Sequence, residues 1–385
     1  MSADEKTTLK TLHCIGGLEI GGAETALYRT VTRFRRQRFT SVVISLMNIG
    51  PIGERLQSAG VSLIALGKRR GVPDARIVLK LARIFKMERP HLIHSNMYEA
   101  NVYGLVAARL VGIPVVWSIR TADIDYNYYR AWSEIAFRTN RLLSRFPDAI
   151  LFNSDAGYHY HRAHGFNNAR MLVIPYGFDT ELFHPNLDAR HSVRAELDVP
   201  PDAFLIGRFA RMDAMKDYPT FIAGAARILR EHPTVYFICT GRDVNRKNGM
   251  LTQLLDAHNV SDRFVLLGHR DDMPRLMASV DFTVSSSMTE GFPNVVGEAM
   301  ACGVPNIVTD VGDSAQLIDD ARWVAPRKNP AALAEVMEQM LRLSTDERRA
   351  IGARARQRIV EQYDIAQTTR RLEEFYEQLL TKKKV

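Results

Sequence analysis

The chain has 385 residues, 46% of them hydrophobic and 24% charged, and its 51 Lys and Arg against 43 Asp and Glu give a net charge of +8. That length exceeds what one core usually serves, so two domains of about 150–200 residues are expected, and the balance excludes both a disordered chain and a membrane-embedded one. Cys14, Cys239 and Cys302 are too scattered for a disulfide framework or a CxxC metal site, and the positive charge favours an anionic partner (nucleotide, nucleic acid or membrane surface) without choosing among them.

The first ten residues, MSADEKTTLK, hold no apolar core, and later apolar runs are cut by Arg109, Pro114 or glycines short of a bilayer's width. Neither a leader nor a spanning helix is expected, and buried thiols suit a reducing, cytoplasmic setting. LKTLHCI reads as the first strand. It ends at His13-Cys14-Ile15-Gly16-Gly17, and Gly21-Gly22-Ala23-Glu24 opens the helix that follows. Glycines there let another group approach the backbone, which suits a phosphate or an acceptor; a plain turn with a helix cap would read the same. The letters are not GxGxxG and no acidic ribose partner follows the second strand, so a nicotinamide site is poorly supported.

LYRTVTRFRRQRF reads as a helix carrying Arg29, Arg33, Arg35, Arg36 and Arg38, with Leu27, Val31 and Phe34 on one apolar stripe. With Lys68, Arg69 and Arg70 it forms a basic surface that would suit an anionic membrane, or simply a solvated face. FTSVVISLM, VSLIALG, HLIHSNM, PVVWSIR, DAILFNS and MLVIPYG then alternate with helical segments, the pattern of a parallel sheet. His94 and Arg120 end two of these strands and could reach a sugar or an acceptor, although His94 also reads as a core histidine with one backbone bond. Arg120 stays protonated and cannot act as a base, so a phosphate or an acidic sugar group is its natural ligand. Asp123-Ile124-Asp125 is a DxD triplet of a kind that can hold a metal and also arises by chance.

After Gly177 a polar stretch with Pro185, Pro200 and Pro201 marks a domain boundary, and the alternation restarts with FLIGRFA, VYFICTG, FVLLGH, DFTVSSS, PNIVTD and ARWVAP. In open α/β sheets ligands bind beyond the carboxyl ends of the strands. Arg208, Arg211 and Lys216 follow the first of these strands and could draw charge from a departing diphosphate. His269 and Arg270 follow FVLLG. In SSSMTEGFPNVVGEAMACGVPNIVTDV, Gly291 frees a turn and Pro293 suits the first helical position, where unpartnered N–H groups attract phosphate. Glu298 lies five residues on, about 7.5 Å along the axis, and Glu290 precedes the turn. Two carboxylates flanking a phosphate-binding helix start suit a ligand with charge in the middle and hydroxyls at its ends, the shape of a nucleotide-diphosphate sugar. Residues 329–383 read as consecutive helices.

EGFPNVVGEAMACGVP, with GGLEIGGAE at 16–24 and ARMDAMKD at 210–217, closely resembles retaining glycosyltransferase family four. The resemblance covers nearly the whole chain. It implies an α/β GT-B fold of two facing, doubly wound Rossmann-like domains: an acceptor-side domain at 1–180, a nucleotide-sugar-binding domain at 181–365, and a helix at 366–385 crossing back to the first. It also implies roles. Glu290, Arg211 and Lys216 would be catalytic; Gly291, Phe292, Pro293, Asn294 and Glu298 would hold the donor, with His269 and Arg270 near the base. Gly21, Gly22, His94 and Arg120 would serve the acceptor or a phosphate.

Many family members carry His where this chain has Arg120, which leaves the sugar open. The function implied is transfer of a hexose or N-acetylhexosamine from a nucleotide sugar to a glycan or lipid-linked saccharide, with retention. No metal, cofactor or nucleic acid is expected; the setting is cytoplasmic, either free or peripheral on the inner face of a membrane. A nucleotide-sugar epimerase or a non-catalytic partner of a glycan-synthesis complex are the alternatives.

Overall fold

The computed structural model describes residues 8–123 and 131–381. The chain divides into two compact units, one of residues 1–177 with 365–385 and the other of residues 178–364. Among the described residues no helix is long and apolar enough to cross a membrane.

In the first unit the elements run β1 (Leu9–Ile15), α1 (Gly22–Val31), β2 (Phe39–Ser45), α2 (Gly50–Ser58), β3 (Ser62–Ala65), α3 (Arg76–Glu88), β4 (Leu92–Asn96), α4 (Tyr98–Val111), β5 (Val115–Ile119), α5 (Ala131–Leu143), β6 (Ala149–Phe152), α6 (Asp155–Ala163) and β7 (Met171–Val173). The second continues with α7 (Leu187–Glu196), β8 (Leu205–Phe209), α8 (Tyr218–Glu231), β9 (Tyr236–Thr240), α9 (Gly249–Ala257), β10 (Phe264–Leu266), α10 (Met273–Ser279), β11 (Phe282–Ser285), α11 (Asn294–Ala301), β12 (Asn306–Thr309), α12 (Ser314–Ile318), β13 (Val324–Ala325), α13 (Pro330–Arg342) and α14 (Thr345–Gln362). A last helix, α15 (Ile365–Thr381), belongs to the first unit.

The first sheet has the order β3-β2-β1-β4-β5-β6-β7 and the second β10-β9-β8-β11-β12-β13, with every pairing parallel. Both orders reverse direction at an inner strand, between β1 and β4 and between β8 and β11. Strand residues alternate between two buried layers. Leu12 and Cys14 pack with α3, α4 and α5 through Leu81, Leu105 and Phe137. Ile15 packs on the other side with Leu27, Leu56 and the α15 residues Leu372, Tyr376 and Leu379. Sheets buried on both faces need such continuous apolar runs.

One local expectation is corrected. The basic helix expected over residues 27–39 stops at Val31, because Phe34 and Phe39 turn inward to the core. The stretch after Gly177, where the units divide, also carries a helix, with Asn186 capping α7 by accepting from the Ala189 N–H at 2.9 Å.

Candidate active site

In the second unit the segments leaving β8 and β11 lie side by side at the point where the strand order reverses. Lys216 ends a 3-10 turn, Ala214–Lys216, capped by Asp213, whose carboxylate accepts from the Met215 N–H at 2.9 Å. The Met288 N–H donates to the Met215 carbonyl at 2.8 Å. The Ser286 hydroxyl donates to the carbonyls of Asp217 (3.0 Å) and Lys216 (3.2 Å). These bonds fix where Lys216 emerges.

Its ammonium meets Glu290 Oε1 at 2.5 Å, and the Ser287 hydroxyl donates to the same oxygen at 2.7 Å. Both side chains are largely buried, 21% and 15% exposed. Burial pushes the Glu290 carboxyl up, but Lys216, the Ser287 hydroxyl and the Arg208 charge outweigh it and hold the group below its ordinary value. An ammonium has three N–H donors. One is committed to Glu290.

Helix α11 begins at Asn294, and Pro293, with φ −79° and ψ 102°, stands one residue before it as the cap rather than as its first residue. The preceding turn is held from outside. The Asp313 N–H donates to the Gly291 carbonyl at 3.0 Å. Gly312, at φ +53°, lies so close that a Cβ there would stand 2.1 Å from the Glu290 carbonyl oxygen. Phe292 is buried and stacks on Phe178 at 5.8 Å. Phe178 in turn lies on α11, where a Cβ at Gly297 would come within 2.0 Å of its ring. Glu298 is buried in this helix, not on a solvated side of it. At the far end of α11, Arg356 donates to the carbonyls of Ala301, Phe183 and Thr180.

The remaining candidates in this unit are placed less simply. The Arg211 guanidinium lies on Asp213 at 2.9 Å rather than on Glu290. Burial pushes the Asp213 carboxyl up, and the Met215 bond with the charges of Arg211 and Lys216 brings it below its ordinary value. Arg208 does not follow the strand but lies within it, buried. It donates to the Lys216 and Val284 carbonyls and packs 5.3 Å over the Tyr218 ring, so it supports the site from beneath and cannot touch a ligand.

Arg270 is also committed elsewhere. Its guanidinium forms a two-pronged pair with Asp272 (2.7 and 2.8 Å) and a third bond to Glu196 (2.9 Å). His269 is half-exposed, 3.6 Å from Asp271.

In the first unit the glycines expected to serve the acceptor or a phosphate lie at the start of α1. Gly21, with extended backbone, precedes α1, and Gly22 is its first residue. The group that approaches Gly21 is the Glu24 carboxylate, 2.3 Å from where a Cβ would stand. His94 is corrected. Its Nδ1 bonds the Tyr376 hydroxyl at 2.5 Å and its Nε2 the Ser118 hydroxyl at 2.7 Å, both buried, so it joins α15 to the sheet and has no nitrogen left for an acceptor. Burial, then the neighbouring His13 and Arg120, push its pKa well below the ordinary value. Arg120 stands at the strand ends, donating to Asn96 Oδ1 at 2.7 Å with its guanidinium 4.9 Å over the Tyr176 ring.

Part of the basic surface expected around residues 27–39 and 68–70 is used internally. Arg35 and Arg38 pair with Glu373 and Glu377 of α15 at 2.5 Å each. Lys68 is buried against Glu99 at 2.5 Å. Asp125 of the DxD triplet lies outside the described residues.

Two family models match, Glycosyltransferase Family 4 over residues 20–182 and Glycosyl transferases group 1 over residues 200–343. The chain belongs to glycosyltransferase family 4. This family 4 glycosyltransferase is 26% identical over 259 residues to the UDP-Gal:alpha-D-GlcNAc-diphosphoundecaprenol alpha-1,3-galactosyltransferase of Escherichia coli. That match takes in 64% of this chain and 65% of the E. coli enzyme, a little under two thirds of its length. It is 25% identical over 293 residues to the lipopolysaccharide core biosynthesis mannosyltransferase LpcC of Rhizobium leguminosarum, covering 74% of this chain and 77% of that one. Among solved structures, Anabaena HepE in complex with UDP and glucose superposes with a TM-score of 0.85 at 22% identity, over 96% of this chain and 100% of that one. That likeness gives the glycosyltransferase its fold, GT-B.

Reading the sequence missed Ser286 and Ser287, Gly312, and the partners Tyr176 and Tyr376. Ser287 left a trace, a hydroxyl three residues before Glu290 in a serine run that follows an apolar strand.

Proposed function

We propose that the protein transfers a hexose or N-acetylhexosamine from a nucleotide-diphosphate sugar to a glycan or lipid-linked saccharide, with retention and without a metal, in the building of a polysaccharide or glycolipid. The observation that carries this is the Lys216–Glu290 pair at the strand-order reversal, beside the start of α11. Such a reversal is where ligands of open α/β sheets sit.

Lys216 keeps N–H donors for the diphosphate while holding Glu290, and the N–H groups at the start of α11 add to them. Arg211 reaches the same phosphates by leaving Asp213. Glu290, kept ionised, accepts from hydroxyls of the donor sugar, and Glu298 accepts from the ribose diol. His269, half-exposed beyond β10, lies at the nucleobase. Arg120 takes a phosphate or carboxylate of the acceptor. As the bond from the sugar's anomeric carbon to the diphosphate breaks, the two cations take up the growing charge. The acceptor oxygen bonds that carbon from the departing side, and its proton passes to the leaving diphosphate. The protein cations fill the role that a divalent ion plays in other transferases.

The galactosyl- and mannosyltransferase names of the relatives, and the UDP and glucose held by HepE, support a nucleotide-sugar donor. The test is a thermal-shift screen of the purified chain against UDP-, GDP-, ADP- and dTDP-sugars, followed by transfer assays with lipid-linked and free saccharides. A donor that stabilises the protein and is turned over only with an acceptor is expected. Stabilisation by no nucleotide sugar would sink the proposal.

A further inference from the structure

The crossovers β3 to β4, β4 to β5 and β5 to β6 all run in the same direction across the first sheet. Right-handed connections therefore lay α3, α4 and α5 on one side of it. Their inner stripes are core. Their outer stripes are not polar, as the surface of a soluble helical layer should be. On α3 Leu79 and Met87 are 59% and 76% exposed, on α4 Val106 and Leu110 are 40% and 60%, and on α5 Ile135 and Leu142 are 50% and 72%. Phe146, just past α5, is also exposed, and Arg109 of α4 donates to its carbonyl, so the α4 and α5 stripes adjoin.

Cations are threaded between these side chains. Arg83 and Lys86 on α3, Arg141 near the end of α5 and Arg145 just past it are exposed and form no ion pair among the described residues. Arg145 lies 4.9 Å from the Phe146 ring. The neighbouring α6 exposes His159, Arg162 and His164 but no large apolar side chain. The feature is thus confined to three adjoining helices.

We propose that this outer layer of α3, α4 and α5 docks on a bilayer containing anionic lipid. Long basic stems end at headgroup level while the apolar side chains beside them reach the acyl boundary, a division of labour that unpaired cations and exposed Leu, Met and Phe together fit. It is a different surface from the one around α1, where Arg35 and Arg38 are already paired with α15. The proposal stands independently of the donor and acceptor assignments.

The test is flotation of the full chain with phosphatidylcholine vesicles with and without phosphatidylglycerol, at low and high salt. The protein is expected to float with the anionic vesicles, to stay down with the neutral ones, and to be released by salt. Leu110→Glu with Leu142→Glu should lower partitioning about tenfold or more. Both side chains are exposed, so thermal melting should not change. Arg36→Glu, on the other surface, should float like the parent. No flotation of the parent, flotation of the double variant, or loss with Arg36→Glu alone overturns the proposal. So does light scattering that finds the parent dimeric and the double variant monomeric, which would make this layer a contact between copies of the chain.

Discussion

Replacing Lys216 by Ala separates what the Lys216–Glu290 pair does for the fold from what it does for the reaction. With Nζ and Oε1 2.5 Å apart, the bare attraction at an effective dielectric of about 20 is roughly 6–7 kcal/mol. Most of that offsets the cost of taking two ions out of water, leaving a net coupling of about 2–3 kcal/mol. Lys216→Ala strands a largely buried carboxylate, so the melting temperature should fall by about 5–10 °C. Adding Glu290→Gln removes the stranded charge and should recover most of that loss.

Catalysis should not recover with it. If Lys216 stabilises the departing diphosphate, its loss lowers kcat by about 10²–10³-fold, and no change at Glu290 supplies another cation. The assay is nucleotide-diphosphate release with acceptor present, alongside a melt, for both single variants and the double. Lys216→Ala within a few-fold of parental kcat, or a double variant that regains activity together with stability, would refute the reasoning.

Three further outcomes are expected. Burial, with Arg120 nearby, lowers the pKa of His13 to about 3 from the ordinary 6.5; between these values the unfolded chain binds the extra proton, so stability is lost as pH falls, by about 1.4 kcal/mol per pH unit for this one residue and more with His94. Urea midpoints at pH 7.5, 6 and 5 check this, and a flat series would contradict it. Gly297→Ala sets a methyl against the Phe178 ring and should cost about 1–3 kcal/mol in urea unfolding while raising KM for the donor; an unchanged midpoint would show that the ring yields freely. Dialysis against EDTA should leave transfer activity intact, whereas loss restored by Mn²⁺ would move the diphosphate's charge balance from Lys216 and Arg211 to an ion.

Much of the fold could be read because parallel strands buried on both sides leave continuous apolar runs, and each of the runs from LKTLHCI to ARWVAP contains one strand. The Glu290 and Lys216 segments were legible through glycine, proline and charge at strand ends. What could not be read is which partner a charged side chain finds. Arg35, Arg38 and Lys68 look like a basic surface until residues far along the chain, or across the sheet, supply Glu373, Glu377 and Glu99. Arg208 reads as a ligand-binding cation because nothing local announces that its strand position points it under Tyr218. Arg270 shows the same thing at shorter range, since the Glu196 that engages it sits on a helix within the stretch read as a domain boundary.

The return of α15 has a consequence for how the chain comes to be made. Leu372, Tyr376 and Leu379 complete one buried layer of the first unit, and Glu373 accepts both the Arg35 backbone N–H and its guanidinium. A ribosome delivers those residues only after the whole intervening unit has emerged. The first unit's sheet must therefore wait, one side unfinished, until α15 has followed the second unit out, and a fragment released before residue 365 would carry a bare apolar flank that chaperones should recognise and solubility assays should expose.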